Sequence, residues 1–225
     1  MPEDRLKKDL DNLVRRLRNN GYIKTDEMER AIRTVPREEF VNPNSREHAY
    51  RDSPLPIGLG QTISAPHMCA IMCESLALKP GLNMLEIGAG SGYHAALCAE
   101  LVAPPGNSNP GHVYTIEIVE GLIKFARENL ERTGYNDRVT LINADGGIGL
   151  PGKAPFDRIL VAAAAPSVPQ PLIDQLAFGG IMLIPVGSKG FFQELMMVEK
   201  DATGKVTQRR WGGVAFVPLT GEYGH

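Results

Sequence analysis

Residues 85–93 read LEIGAGSGY, and no other stretch limits the possible folds as tightly. The apolar run Asn83–Ile87 has strand character and delivers the chain to Gly88, Gly90 and Gly92, after which Tyr93–Val102 carries helical periodicity. Strand, glycine turn and helix make the first half of a βαβ unit, in which glycine lets the backbone turn sharply beside a ligand. The dinucleotide fingerprint G-x-G-x-x-G needs a glycine where Tyr93 stands, and no G-K-[ST] follows, so neither a nicotinamide loop nor a triphosphate loop is expected.

The pattern continues downstream. His112–Glu117 reads as a strand, Glu120–Arg132 as a helix, and Val139–Asp145 and Phe156–Ala163 as strands. Gln170–Ala177 reads as a helix and Ile181–Val186 again as a strand. This alternation predicts an α/β fold with a Rossmann-like, doubly wound, mostly parallel sheet. Two further strand-like runs, Glu194–Glu199 and Val206–Pro218, flank DATGK and predict an antiparallel pair closing one edge. Upstream, Leu6, Leu10, Leu13, Val14 and Leu17 share one helical face before Gly21. A second helix starts after Thr25 or Asp26, carries Met28, Ile32 and Val35, and ends at Pro36. Residues 42–66 read as an irregular connector, longer than packing alone requires, and 67–78 as a helix. The chain is therefore divided into an N-terminal helical and connector segment, 1–66, and an α/β unit, 67–225, within one compact body.

Composition narrows the partners. A formal net charge of −2 gives no basic footprint for nucleic acid. No apolar run reaches the length of a membrane span, and the charged start MPEDRLKKDLDNL has no signal-peptide core. Three cysteines cannot all pair, which suits a reducing cytoplasm. Cys69 and Cys73 share a helical face, but His67 lies off it and no fourth ligand is near in sequence. Buried thiols and no metal are expected. GAGSG misses the G-x-S-x-G spacing, so Ser91 is not expected to be a nucleophile. Met196 and Met197 read as core, and Arg209 and Arg210 as a solvated strand edge.

The carboxyl ends of the strands gather the chemistry, as open α/β sheets do. Glu117 ends its strand and suits two ribose hydroxyls, since a carboxylate accepts from both. Asp145, before Gly146 and Gly147, suits the exocyclic amine of an adenine. In GLGQTISAPHM, residues 58–68, Ser64 followed by Ala65 and Pro66 reads as a helix N-cap with proline in the first turn. The helix tip behind it would then offer N–H donors to an anion. Gly58 and Gly60 would let a peptide backbone approach closely.

These motifs together resemble the class I S-adenosylmethionine-dependent methyltransferases, and within them the protein-L-isoaspartate O-methyltransferase family. The matching pieces are VPREEFV (35–41), QTISAPHM (61–68), LEIGAGSGY, the IE at 116–117 and the ADG at 144–146. APFD with AAAAPSVPQPLIDQL (154–176), GGIMLIPVG (179–187) and FVPLTG (216–221) complete the set, which covers nearly the whole chain in order. The resemblance implies methyl transfer from S-adenosyl-L-methionine, leaving S-adenosyl-L-homocysteine, to the free α-carboxylate of L-isoaspartyl residues in damaged proteins and peptides. The ester then favours succinimide closure, which starts repair. It places Glu86 and Gly88, Gly90 and Gly92 along the methionine and ribose of the cofactor, Glu117 on the ribose and Ile118 against the adenine. Asp145 and Gly146 would meet the adenine edge. Gln61, Thr62, Ile63, Ser64, His67 and Thr220 would lie close to the cofactor, and Ser64 would be the catalytic position. Ile57, Gly58, Ser64 and Val217 would bind the peptide, mostly through main-chain hydrogen bonds. Cys69 and Cys73 depart from the family pattern, and the chain stops at Tyr223-Gly224-His225, so contacts from a longer tail would be absent or replaced. Three alternatives stay open: a related enzyme acting on a small molecule or nucleic acid, a nucleotide-binding oxidoreductase, and a non-catalytic binding protein.

Overall fold

The computed structural model describes residues 2–188 and 192–225. Its frame is one seven-stranded sheet built from β3 (Asn83–Ile87), β4 (His112–Glu117), β5 (Val139–Asn143), β6 (Phe156–Val161), β7 (Leu176–Gly187), β8 (Gln193–Lys200) and β9 (Val206–Val214). A separate hairpin pairs β1 (Leu55–Gly58) with β2 (Gln61–Ile63). The sheet order is β5-β4-β3-β6-β7-β8-β9, parallel from β5 to β7 and antiparallel at the last two pairs. Chain direction across the sheet reverses at β3, whose neighbours are β4 and β6, and a crevice opens at the carboxyl ends of such a reversal.

The helices are α1 (Pro2–Asn19), α2 (Asp26–Thr34), α3 (Pro66–Ser75), α4 (Tyr93–Val102), α5 (Glu120–Arg132) and α6 (Gln170–Gln175). Thr25 starts α2 by accepting from Met28 N at 3.2 Å. Leu13, Val14 and Leu17 are the buried face of α1, and they join α2, α3 and α4 in one apolar cluster. Leu85, Ile87, Phe156, Ile159 and Leu172 belong to a second cluster. The N-terminal helices are tied on by a polar clamp as well. The buried Glu100 of α4 accepts from Arg30 of α2 and from Arg138 before β5, each at 2.9 Å. No described helix is long and apolar enough to cross a membrane.

Three segments differ from the expectations. The connector 42–66 holds a 3₁₀ turn and the β1–β2 hairpin, whose turn residues Leu59 and Gly60 have φ of 53° and 75°. Gly58 and Gly60 serve that turn, which explains their glycine without any peptide passing over them. Helix α6 stops at Gln175 and β7 begins at Leu176, which pairs with Phe156, and β7 then carries three extra residues before Ile181 resumes pairing with Arg158. The last strand ends at Val214 rather than Pro218. There the chain leaves the edge, is bracketed by Gln193 on both main-chain groups of Phe216, and crosses back to bridge Ala164. That crossing carries the chain's end over the carboxyl ends of the parallel strands.

Candidate functional site

Two clefts lie at that end of the sheet. The first encloses about 770 Å³, part of it open to solvent. Its lining runs from Gln61–Ser64 through Ile87–Gly90 and Glu117–Val119 to Gly146 and Val217–Thr220. Its floor is the glycine turn. Gly88, Gly90 and Gly92 have φ of 91°, 56° and 87°, values an L side chain rarely adopts. Gly92 caps α4 with Leu130 3.0 Å from where a Cβ would sit, so it supports the turn from below and does not line the cleft.

Glu117 anchors this arrangement. The carboxylate is 6% exposed, Oε2 accepting from Gly90 N and Oε1 from Val119 N, both at 2.9 Å. Each oxygen keeps a lone pair for a further donor, so a diol presented from the cleft meets a fixed acceptor pair. Ile118 and Leu122 supply apolar wall, and Gly146 is confined by Ile87, which leaves no room for a side chain between strand end and cleft. The set suits an adenosine: flat apolar sides, a carboxylate for the sugar, main chain at the edge.

Several expected residues stand elsewhere. Asp145 does not line the cleft. Its Oδ1 accepts from Gly147 N at 2.8 Å and its Oδ2 from Glu222 N at 2.7 Å, so the carboxylate fastens the C-terminal segment over the site. His67 lines the second cleft, not the first, while Ile57 and Gly58 line neither and belong to β1. Glu86 is fully buried between sheet and α4, where Thr115 Oγ1 donates to its Oε2 at 2.5 Å while Oε1 has no partner.

Burial pushes the Glu86 carboxyl up to about 7, against the opposing pull of His94 and the Thr115 hydroxyl. A group whose folded pKa is raised contributes stability below its unfolded value, near 4.5, and loses it as pH rises through about 7. Glu86→Gln is therefore expected to gain about 3 kcal/mol on the native chain between about pH 4 and pH 8. Urea unfolding of both proteins at the two pH values reads this directly, and parallel pH dependences would show that Glu86 is not held neutral.

Ser64 is not a helix cap. The residue before α3 is Ala65, which makes no side-chain cap bond. Asp52 takes the role instead, Oδ1 accepting from His67 N at 2.9 Å and contacting His67 Nδ1 at 2.8 Å. Met68 N and Cys69 N are already bonded to Ala65 O. The tip of α3 thus presents Asp52 rather than free donors, and the expected anion site at that tip does not form. What holds Ser64 is Arg37. Its guanidinium is 0% exposed, donates Nε to Ala49 O and Nη2 to Ser64 O, each at 2.8 Å, and stands 4.7 Å from the centre of the Tyr93 ring. Arg37 lay inside the VPREEFV motif, but nothing there said where a guanidinium would reach. Asp52 had no signal in the sequence at all.

The second cleft, of about 1140 Å³ and open to solvent, runs past His67, Phe192 and the extended segment Gly213–Val217. Phe192 is 98% exposed at its rim. Thr62, Ser64, Ala162 and Val217 line both clefts and form the partition between them.

Residues 8–224 match the family described as protein-L-isoaspartate(D-aspartate) O-methyltransferase (PCMT). A protein-L-isoaspartate O-methyltransferase of Hyperthermus butylicus is 56% identical over 214 residues, covering 94% of this chain and 88% of that protein. One from Methanopyrus kandleri is 54% identical, covering 95% and 92%. The crystal structure of a Plasmodium falciparum protein described as a protein-L-isoaspartate O-methyltransferase, in complex with S-adenosyl-L-homocysteine, superposes with a TM-score of 0.81 at 30% identity. It covers 93% of this chain and 97% of that one.

Proposed function

Since this chain belongs to the protein-L-isoaspartate(D-aspartate) O-methyltransferase family, we propose that its two clefts hold cofactor and damaged peptide on opposite sides of one partition. The enzyme is S-adenosylmethionine-dependent and methylates isoaspartyl residues. The observation that carries the division of labour is the shared wall of Thr62, Ser64, Ala162 and Val217.

Glu117, Ile118, the Gly88–Gly90 turn, Gly146 and Thr220 would hold the cofactor in the first cleft. When bound, it supplies an electrophilic methyl on a sulfonium. The chain need not supply a base, because a carboxylic acid with a reference pKa of about 4 is ionised at neutral pH. What remains is orientation and dryness. Ser64 stands in the partition, where its hydroxyl can donate to a substrate carboxylate, and its own carbonyl is fixed by Arg37. Ala162 and Val217 make the rest of that wall apolar. The peptide main chain would lie along the extended Gly213–Val217 segment, so that recognition follows the altered backbone and tolerates many side chains. The ester it leaves favours succinimide closure, the first step of repair. Three free, buried thiols and a net charge of −2 support a cytoplasmic enzyme acting on peptides rather than nucleic acid.

Labelled methyl transfer to two matched peptides, one isoaspartyl and one aspartyl, tests the reading, and equal labelling would overturn it. Ser64→Ala is expected to lower kcat/KM for the isoaspartyl peptide about 10- to 100-fold, the worth of a hydrogen bond to a charged group. Because Ser64 caps nothing, unfolding stability should change by less than about 1 kcal/mol. Unaltered turnover in steady-state assays would remove Ser64 from the chemistry.

A further inference from the structure

Cys73 of α3 and His94 and Cys98 of α4 meet in the core beside the first cleft. Their ligand atoms lie within 4.8 Å of one another and all three residues are buried. Cys73 Sγ is 3.5 Å from His94 Nε2 and 3.9 Å from Cys98 Sγ. A tetrahedral zinc ion, with bonds of about 2.3 Å to sulfur and about 2.0 Å to nitrogen, separates two sulfurs by about 3.8 Å and sulfur from nitrogen by about 3.5 Å. We infer that Cys73, His94 and Cys98 are a binding site for a borderline-soft divalent cation, Zn²⁺ by preference.

The local geometry follows from sequence spacing. His94 and Cys98 are four apart on α4 and share a face, and α3 brings Cys73 to that face. His67, the histidine nearest Cys73 in sequence, faces Asp52 instead. The donor chemistry selects the ion: thiolates and imidazole suit zinc and reject magnesium or calcium. Charge fits the burial too. Two thiolates and a neutral imidazole around Zn²⁺ sum to zero, which a site closed to water tolerates. Binding forms two Zn–S bonds and one Zn–N bond and releases the two thiol protons. Without an ion, the only side-chain partner of the buried His94 Nε2 among the described residues is the Cys73 thiol, at 3.5 Å. His94 also lines the first cleft, which gives the ion a way in. The site would pin α3, which follows Ser64, to α4, which follows the glycine turn. It goes beyond methyl transfer and stands without it.

The test is to reduce the full-length protein, strip it with a chelator, and titrate it with Co²⁺ and then Zn²⁺ under anaerobic conditions. One equivalent of Co²⁺ with thiolate charge-transfer and tetrahedral d–d bands, displaced by Zn²⁺ with a rise in Tm, is the expected result. Cys98→Ser should weaken Zn²⁺ binding by about 100-fold or more, and Cys69→Ser should leave it in place. Absence of thiolate bands in the reduced wild-type protein would overturn the inference, whatever the folding of the variants. So would equal Zn²⁺ affinity in a folded Cys98→Ser protein.

Discussion

Arg37→Met is expected to destabilise the protein by about 4 kcal/mol and to lower Tm by on the order of 10 °C. The substitution keeps an apolar stem of similar length but strands two carbonyls, those of Ala49 and Ser64, in a buried place. Each loses a charge-assisted hydrogen bond, worth roughly 1.5–3 kcal/mol, and Tyr93 loses a cation over its ring. Removing a buried cation returns part of this, because its desolvation was unfavourable, and that keeps the figure near 4 rather than above it. The effect should reach catalysis as well. Ser64 is held from behind by the Arg37 guanidinium, so kcat should fall even at temperatures where the variant is folded, with the cofactor affinity of the first cleft less affected. Arg37→Lys, which can still reach one carbonyl, should fall between the two. Urea unfolding with steady-state kinetics separates these effects, and a variant of wild-type stability and turnover would show that the guanidinium holds nothing.

Glu117→Ala should raise the Kd for S-adenosylhomocysteine about 100-fold, read by calorimetry. Two changes act together. The cleft loses its acceptor pair for a diol, about 3 kcal/mol for two hydrogen bonds to a carboxylate, net of the water they displace. Gly90 N and Val119 N also lose the acceptor that fixes the glycine turn to the end of β4. Glu117→Gln, which keeps one oxygen, can satisfy Gly90 or Val119 but not both, so it should lose less. Binding that survives Glu117→Ala unchanged would place the cofactor somewhere other than the first cleft. A loss of activity alone would not serve as the test, because a collapsed turn and a missing ligand contact have the same effect on turnover.

Much of this protein was legible before any coordinates. The strand–turn–helix at Asn83–Val102 and the alternation that follows it specify a parallel sheet, because apolar periodicity and glycine φ are local properties. Glu117 and the glycine turn reach the cleft for the same reason: residues at a strand's carboxyl end have nowhere else to go. Local rules stopped at long-range contacts. Ser64-Ala65-Pro66 carries the pattern of a cap, yet Asp52, 15 residues before His67, takes the helix tip. Asp145, two residues past the end of β5, turns its carboxylate to Glu222 N, and Val217 and Pro218, read as strand, become part of a cleft wall.

The sequence by itself determined the layers, the strand directions and the side of the sheet on which the chemistry gathers, since each depends on neighbours a few residues apart. Only the tertiary structure decided which polar group each of these side chains meets: Arg37 at Ser64, Asp52 at His67, Cys73 at His94 and Cys98. Those partners lie between 15 and 27 residues apart in sequence. A hydrogen bond between such groups forms only after packing has removed water and left each one the donor or acceptor within reach.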